Sequence, residues 1–176
     1  ATSPRWRGTT RRRTRGRRWR RWQPTARLYV GTAVLDGKLY VAGGRSEADY
    51  ATSNLVERYD VAAKSWEAVA PLASARQAHG VAVLDGKTYA VGGWGGGDNL
   101  SSVERYDPAT NAWEAVAPMA TARLAHAAAV LEGKVYAVGG YNTLSSVERY
   151  DPALDAWEVL SSVERYDPTD GGCVGG

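Results

Sequence analysis

Between residues 27 and 160 the apolar and polar positions follow short strand-length runs, with no 3.6-residue helical period. The stretch 76–119 shows the pattern best. An apolar run at 78–84 ends at Asp85-Gly86, a pair favoured in two-residue hairpin turns. The segment 87–91, Lys-Thr-Tyr-Ala-Val, has strand length and stops at Gly92-Gly93. A Gly-rich polar loop at 94–99 leads into a third run at 102–107, and 107–111 is turn chemistry. The segment 112–116 carries Trp113, and Pro118 closes the unit. The pattern predicts four short antiparallel strands and repeats after about 47 residues.

The repeat is explicit. Val-Glu-Arg-Tyr-Asp stands at 56–60, 103–107, 147–151 and 163–167. Gly43-Gly44, Gly92-Gly93 and Gly139-Gly140 are spaced by 49 and 47 residues, and Trp66, Trp113 and Trp157 by 47 and 44. Separate landmarks keeping one spacing indicate a repeat architecture. The strands do not alternate cleanly: Val83, Leu84, Tyr89, Ala90 and Val91 imply sheets covered on both faces. Ordering ~45 residues costs on the order of 70 kcal/mol, an amount that burial of roughly 2,700 Å² of apolar surface offsets. Such area requires each sheet to be sandwiched between neighbours. Four-stranded sheets packed face to face around an axis form a β-propeller, so the expected class is all-β.

These residues resemble the kelch repeat, in which a double glycine ends the second strand and a Tyr and a Trp follow. The matching positions are Gly43-Gly44 with Tyr59 and Trp66, Gly92-Gly93 with Tyr106 and Trp113, and Gly139-Gly140 with Tyr150 and Trp157. Paired glycines permit close backbone approach, and the aromatics supply large apolar area with one polar end. The blades fall at about 27–72, 76–119 and 123–160, with a partial unit at 160–168, inside a kelch region of 23–168.

The resemblance implies a ring of five to seven blades, so an incomplete propeller is expected: three four-stranded blades with partial blades at either end. The nonapeptide at 160–168 is identical to those at 100–108 and 144–152, and it restarts a third strand too early, which reads as a deletion. Residues 19–27 look like the worn last strand of a preceding blade, with Trp19 and Pro24 spaced like Trp66 and Pro71. Three open blades leave apolar sheet faces in water. The chain, which begins at Ala1, is therefore expected to be a fragment or to self-associate, for example as two three-blade halves.

The net charge of +3 hides two regions. Residues 1–22 hold ten Arg and no acid, whereas the rest has 12 Lys/Arg against 19 Asp/Glu, a net −7. An Arg tract with Trp6, Trp19 and Trp22 suits nucleic acid or nuclear import, but a disordered segment is the better reading. The acidic body gives no phosphate-binding face, so nucleic acid is a disfavoured partner. Residues 169–176 form a Gly-rich tail holding Cys173, the one cysteine. This usage fits a reducing compartment, and a cytoplasmic protein is expected, with the nucleus as alternative. No apolar stretch reaches the ~20 residues of a membrane span.

Catalytic chemistry is poorly represented. His79 and His126 occupy equivalent positions, each at the start of a first strand, which argues for a repeated structural role over a pair of ligands. Some kelch propellers resemble copper-radical oxidases, which need a Tyr-Cys crosslink, and Cys173 lies outside every blade. The Gly92–Gly97 stretch lacks the Gly-Lys-Ser/Thr of a phosphate loop. Neighbours such as Glu104-Arg105 read as ladder or rim charges. No enzyme activity, cofactor or metal is expected.

Differences between copies mark positions free to specialise. They concentrate in the loops 45–50, 94–99 and 141–143, which place Arg45, Tyr50, Trp94, Asp98, Asn99, Tyr141 and Asn142 together as an interaction composition. Propeller ligands commonly dock on the face carrying such loops and the joints between blades. The joints here contain Arg76, Gln77 and Arg123, and an Arg-lined mouth would suit a carboxylate-bearing peptide, although recurrence favours a structural role for both arginines. The expected activity is binding of a protein or peptide ligand. The resemblance implies that relatives include substrate receptors of cullin ubiquitin ligases.

Overall fold

The computed structural model describes residues 26–141 and 145–160. The described residues form β-strands and no helix. The first sheet contains β2 (Gly31–Leu35), β3 (Lys38–Ala42), β5 (Val56–Asp60) and β6 (Ser65–Val69). The second contains β7 (Gly80–Leu84), β8 (Lys87–Val91), β9 (Val103–Asp107) and β10 (Ala112–Val116). The third contains β11 (Ala127–Leu131), β12 (Lys134–Val138), β13 (Val147–Asp151) and β14 (Ala156–Leu160). Each is an antiparallel meander, strands paired in chain order. A further two-stranded ribbon pairs β1 (Arg27–Leu28) with β4 (Arg45–Ser46).

The hairpin pairs Asp36-Gly37, Asp85-Gly86 and Glu132-Gly133 all have φ between 49° and 70°, the left-handed geometry of the tight turn that their chemistry predicts. The three sheets stack face to face with β2, β7 and β11 as neighbouring inner edges. This is the expected architecture of an incomplete kelch-type propeller.

Each junction buries the rear face of one sheet on the front face of the next. At the first, Leu35, Tyr40, Ala42 and Val56 pack against Ala90 and Tyr106, with Trp113 alongside. At the second, Ala82, Leu84, Tyr89, Val91 and Val103 pack against Val135, Ala137 and Tyr150, with Trp157 alongside. Trp113 Nε1 donates to Ala70 O and Trp157 Nε1 to Ala117 O, both at 2.9 Å, so the indole's polar end ties each sheet to the one before. Trp66 stacks on Tyr59 as Trp113 does on Tyr106, but on the front face of the first sheet, where no described sheet precedes it. Burial on both faces, expected of every sheet, is found in the second. Only that sheet has a described neighbour on each side.

The double glycines act at the same junctions. A Cβ on Gly43 or Gly92 would lie 2.3 or 2.7 Å from the carbonyl oxygen of Arg76 or Arg123 in the following link, and both residues have φ near 60°. The next glycine then donates to that same oxygen: Gly44 N to Arg76 O at 2.8 Å and Gly93 N to Arg123 O at 2.7 Å. Any side chain would hold the link away from this bond.

His79 and His126 are 8% exposed, and neither ring nitrogen of either has a protein partner. Each ring lies on the preceding sheet, where a Cβ on Gly31 would approach His79 Nε2 to 2.4 Å and one on Gly80 would approach His126 Nε2 to 2.8 Å. Burial, followed by the Arg76 and His126 charges, pushes the His79 pKa down to about 3. Burial and then Arg123, opposed by Glu148, lower that of His126 to about 4. The rings fill interblade space as neutral groups. Because both folded values lie below the ordinary ~6.5, the unfolded chain binds protons first as pH falls. Full stability is therefore expected above about pH 6.5, declining by ~1.4 kcal/mol per pH unit per histidine below it. Urea midpoints between pH 7.5 and 5 should fall accordingly, and a flat profile would contradict neutral burial.

The links carry a second repeated device. Arg27, Arg76 and Arg123 reach Glu57, Glu104 and Glu148 at 2.6, 2.6 and 3.0 Å, with all six side chains at most 5% exposed. Glu104 also accepts Ala73 N and Ser74 N, and Glu148 accepts Ala120 N and Thr121 N. Of the ladder or rim charges expected from sequence, Glu104 is instead an interior group. Strand alternation sends its neighbour Arg105 to the opposite face, where it pairs with the half-exposed Glu114. Glu104→Ala is expected to cost about 3–5 kcal/mol, since it strands Arg76 inside. Glu114→Ala should cost roughly 0–1 kcal/mol. Chemical denaturation of the two variants checks the contrast.

Candidate functional site

The strand ends bearing the double glycines, the links and the variable loops share one face of the stack. In the first unit, Arg45 bridges to Thr52 and Tyr50 N donates to Ser46 O at 3.1 Å, folding 45–52 into a small hairpin. This hairpin sets the Arg45 guanidinium 5.1 Å from the ring centre of Tyr50 and 5.5 Å from that of Tyr29. Tyr29 and Tyr50 are 59% and 67% exposed, so the cation–π stack stands in solvent.

In the second unit, Trp94 exchanges backbone hydrogen bonds with Gln77, 2.8 and 3.0 Å, and bridges to Asn99. Gly95 N donates to Asp98 O at 2.9 Å, closing the loop tip and leaving the Asp98 side chain outward and exposed. In the third, Tyr141 N donates to Leu124 O at 2.9 Å, and the residue is 64% exposed. Asn142 lies outside the described residues.

At the inner edge of this face the three units meet through one backbone rung. Ala78 N donates to Tyr29 O at 2.9 Å and Ala125 N to Ala78 O at 2.8 Å. These equivalent residues share a left-handed φ of 55°, 49° and 53°. Above the rung opens a groove of about 430 Å³ lined by Tyr29, Gln77, Ala78, Trp94, Leu124 and Ala125. Its walls are largely apolar, with the Gln77 side chain as the polar group of the lining. The structure therefore gathers Arg45, Tyr50, Gln77, Trp94, Asp98, Asn99 and Tyr141 on one face.

Arg76 and Arg123 are a correction. Both are wholly buried, each donating to two backbone carbonyls as well as to its glutamate, so no Arg-lined mouth forms. Recurrence of the residue was the signal of that structural role. Tyr29 and Leu124 also line the groove, and neither lies in a variable loop. Alignment of the copies carries the missing signal, because 29, 78 and 125 are one position occupied by Tyr, Ala and Ala.

Among the described residues no three His, Cys, Asp or Glu side chains are gathered as a metal site. None of those residues forms a helix long and apolar enough to cross a membrane. The Arg-rich segment 1–22, residues 161–168 of the partial blade and Cys173 lie outside them.

The Kelch motif matches residues 26–73, 75–120 and 122–162, three consecutive copies whose limits follow the three sheets and their links. Kelch repeats generally serve as protein–protein interaction modules on a scaffold that is typically non-enzymatic. With the motif covering most of its length and the double-glycine blades built as described, the chain belongs to the kelch-repeat family.

Proposed function

We propose that the loop face is a docking surface for an extended peptide segment of a partner protein, with the groove between Tyr29, Trp94 and Leu124 as its anchor. The observation that carries this reading is the groove's chemistry. An apolar trough accepts one or two apolar side chains, while the Gln77 side chain in its lining provides an amide for a ligand backbone. Tyr29, Tyr50 and Tyr141 surround it with rigid, half-polar area of the kind enriched in interfaces. The Arg45 stack supplies one cationic position for an acidic ligand group.

In a kelch-like ubiquitin-ligase adaptor the same face would present a substrate; that narrower form rests on family resemblance. Nucleic acid suits the face poorly, since the chain beyond residue 22 carries a net −7.

Panning a random peptide library against the full chain tests the proposal. Peptides with an apolar anchor are expected, and Trp94→Ala should weaken them about ten-fold or more, ~1.4 kcal/mol or above. Val61→Asp, a change at an exposed turn after β5, should leave binding unchanged. Library binding indifferent to Trp94 would overturn the assignment of the anchor.

A further inference from the structure

Both junctions between the described sheets are built from one set of contacts. Tyr40 on a rear face meets Tyr106 on the next front face at 5.7 Å, and Tyr89 meets Tyr150 at 5.8 Å, both with rings inclined at 58°. Beside each rear-face tyrosine lies an Arg–Glu pair, Arg58–Glu67 at the first junction and Arg105–Glu114 at the second.

The rear face of the third sheet carries the same set once more. Leu131, Tyr136, Val138 and the Arg149–Glu158 pair stand where the second sheet has Leu84, Tyr89, Val91 and Arg105–Glu114. Leu131 and Val138 are 59% and 41% exposed, against 6% and 0% for Leu84 and Val91. At the other end of the stack, the front face of the first sheet presents Val34, Val41, Tyr59 and Trp66, the counterparts of Val83, Ala90, Tyr106 and Trp113. Val34 is 66% exposed.

We propose that these two faces are the halves of a third junction made between two copies of the chain, the rear face of each covering the front face of the other. The occupant follows from continuity with the interface the chain already makes twice: a surface that buries Tyr40 on Tyr106 and Tyr89 on Tyr150 pairs Tyr136 with Tyr59 of a second copy. Such a contact joins unlike faces, so it closes a ring only if the rotation is right. Propellers close at typically ~4–8 blades, a range that contains two copies of three sheets and excludes three copies.

One contact of the set is altered. Asn111 and Asp155 accept both the tyrosine hydroxyl of their own sheet and a backbone N–H of the preceding one. Lys64 occupies that position in the first sheet and has no acceptor to offer. The junction between copies is therefore weaker than those within a copy, and the assembly is a dissociable dimer.

Light scattering on the size-fractionated full chain should give twice the chain mass, falling on dilution through the micromolar range. Leu131→Asp and Val34→Asp, both at exposed sites, should each elute as monomers. Their mixture should recover a dimer, because one junction of the mixed pair keeps two native faces. Tyr50→Ala, on the proposed docking face, should leave the mass unchanged, which separates this proposal from that one. A wild-type monomer overturns the proposal. So does a monomer whose β11 amides are protected from exchange, which would mean that the chain's own 1–25 or 161–176 covers the faces. Sensitivity to Leu131→Asp alone, or a mixture that stays monomeric, would show pairing of like faces or none.

Discussion

The packing of one sheet on the next rests on a buried arginine in each link. Arg76 enters between the first and second sheets with its own N–H and carbonyl bonded to the first sheet's loop. Its guanidinium meanwhile holds Gly92 O, Ser102 O and Glu104 of the second. Arg123 repeats the arrangement one unit on, and Arg27 makes the same side-chain contacts in the first. A buried ion pair costs desolvation energy that an apolar pair would not, so net stabilisation is a poor explanation for it. Direction is a better one. A guanidinium has five fixed donors, and here they require a carboxylate and two carbonyls at set angles. An apolar contact between two sheets tolerates sliding; this one does not.

The double glycine and the buried histidine are consequences of the same link. The link must come close enough for its arginine carbonyl to reach the backbone of the preceding sheet. Only a residue without Cβ and with a left-handed φ leaves room there. Two residues after each double-glycine-bound Arg76 or Arg123 the chain turns left-handed at Ala78 or Ala125, and the histidine that follows fills the space over the glycine of the preceding first strand. The recurring glycines are thus set by the joint, whereas the recurring Tyr and Trp stand on blade strands that face the neighbouring sheet.

Constraint at the joints leaves the loops free. Every copy must keep its glycines, glutamate and link arginine, whereas nothing in the junction fixes the residues at 45–50, 94–99 or 141. The exposed aromatics collect there, and the groove opens where three links and one tryptophan loop meet. Scaffold and surface are separated by this difference in freedom, so the variation between copies falls on the loop face. Tyr29 sits in a joint and not in a variable loop, one aromatic at a position that is alanine in the other two copies, Ala78 and Ala125.

Repetition in the sequence determined the strand order, the hairpin turns and the stacking of equivalent sheets, because each depends on local chemistry recurring at one period. It also identified the aromatic and glycine positions that the junctions use. The fate of individual charges was decided by tertiary structure alone. Glu104 and Arg105 are neighbours with the same pattern in every copy, yet one is sealed against a link arginine and the other rests near solvent. Period-2 alternation says that they part; only the neighbouring sheet decides which side is interior.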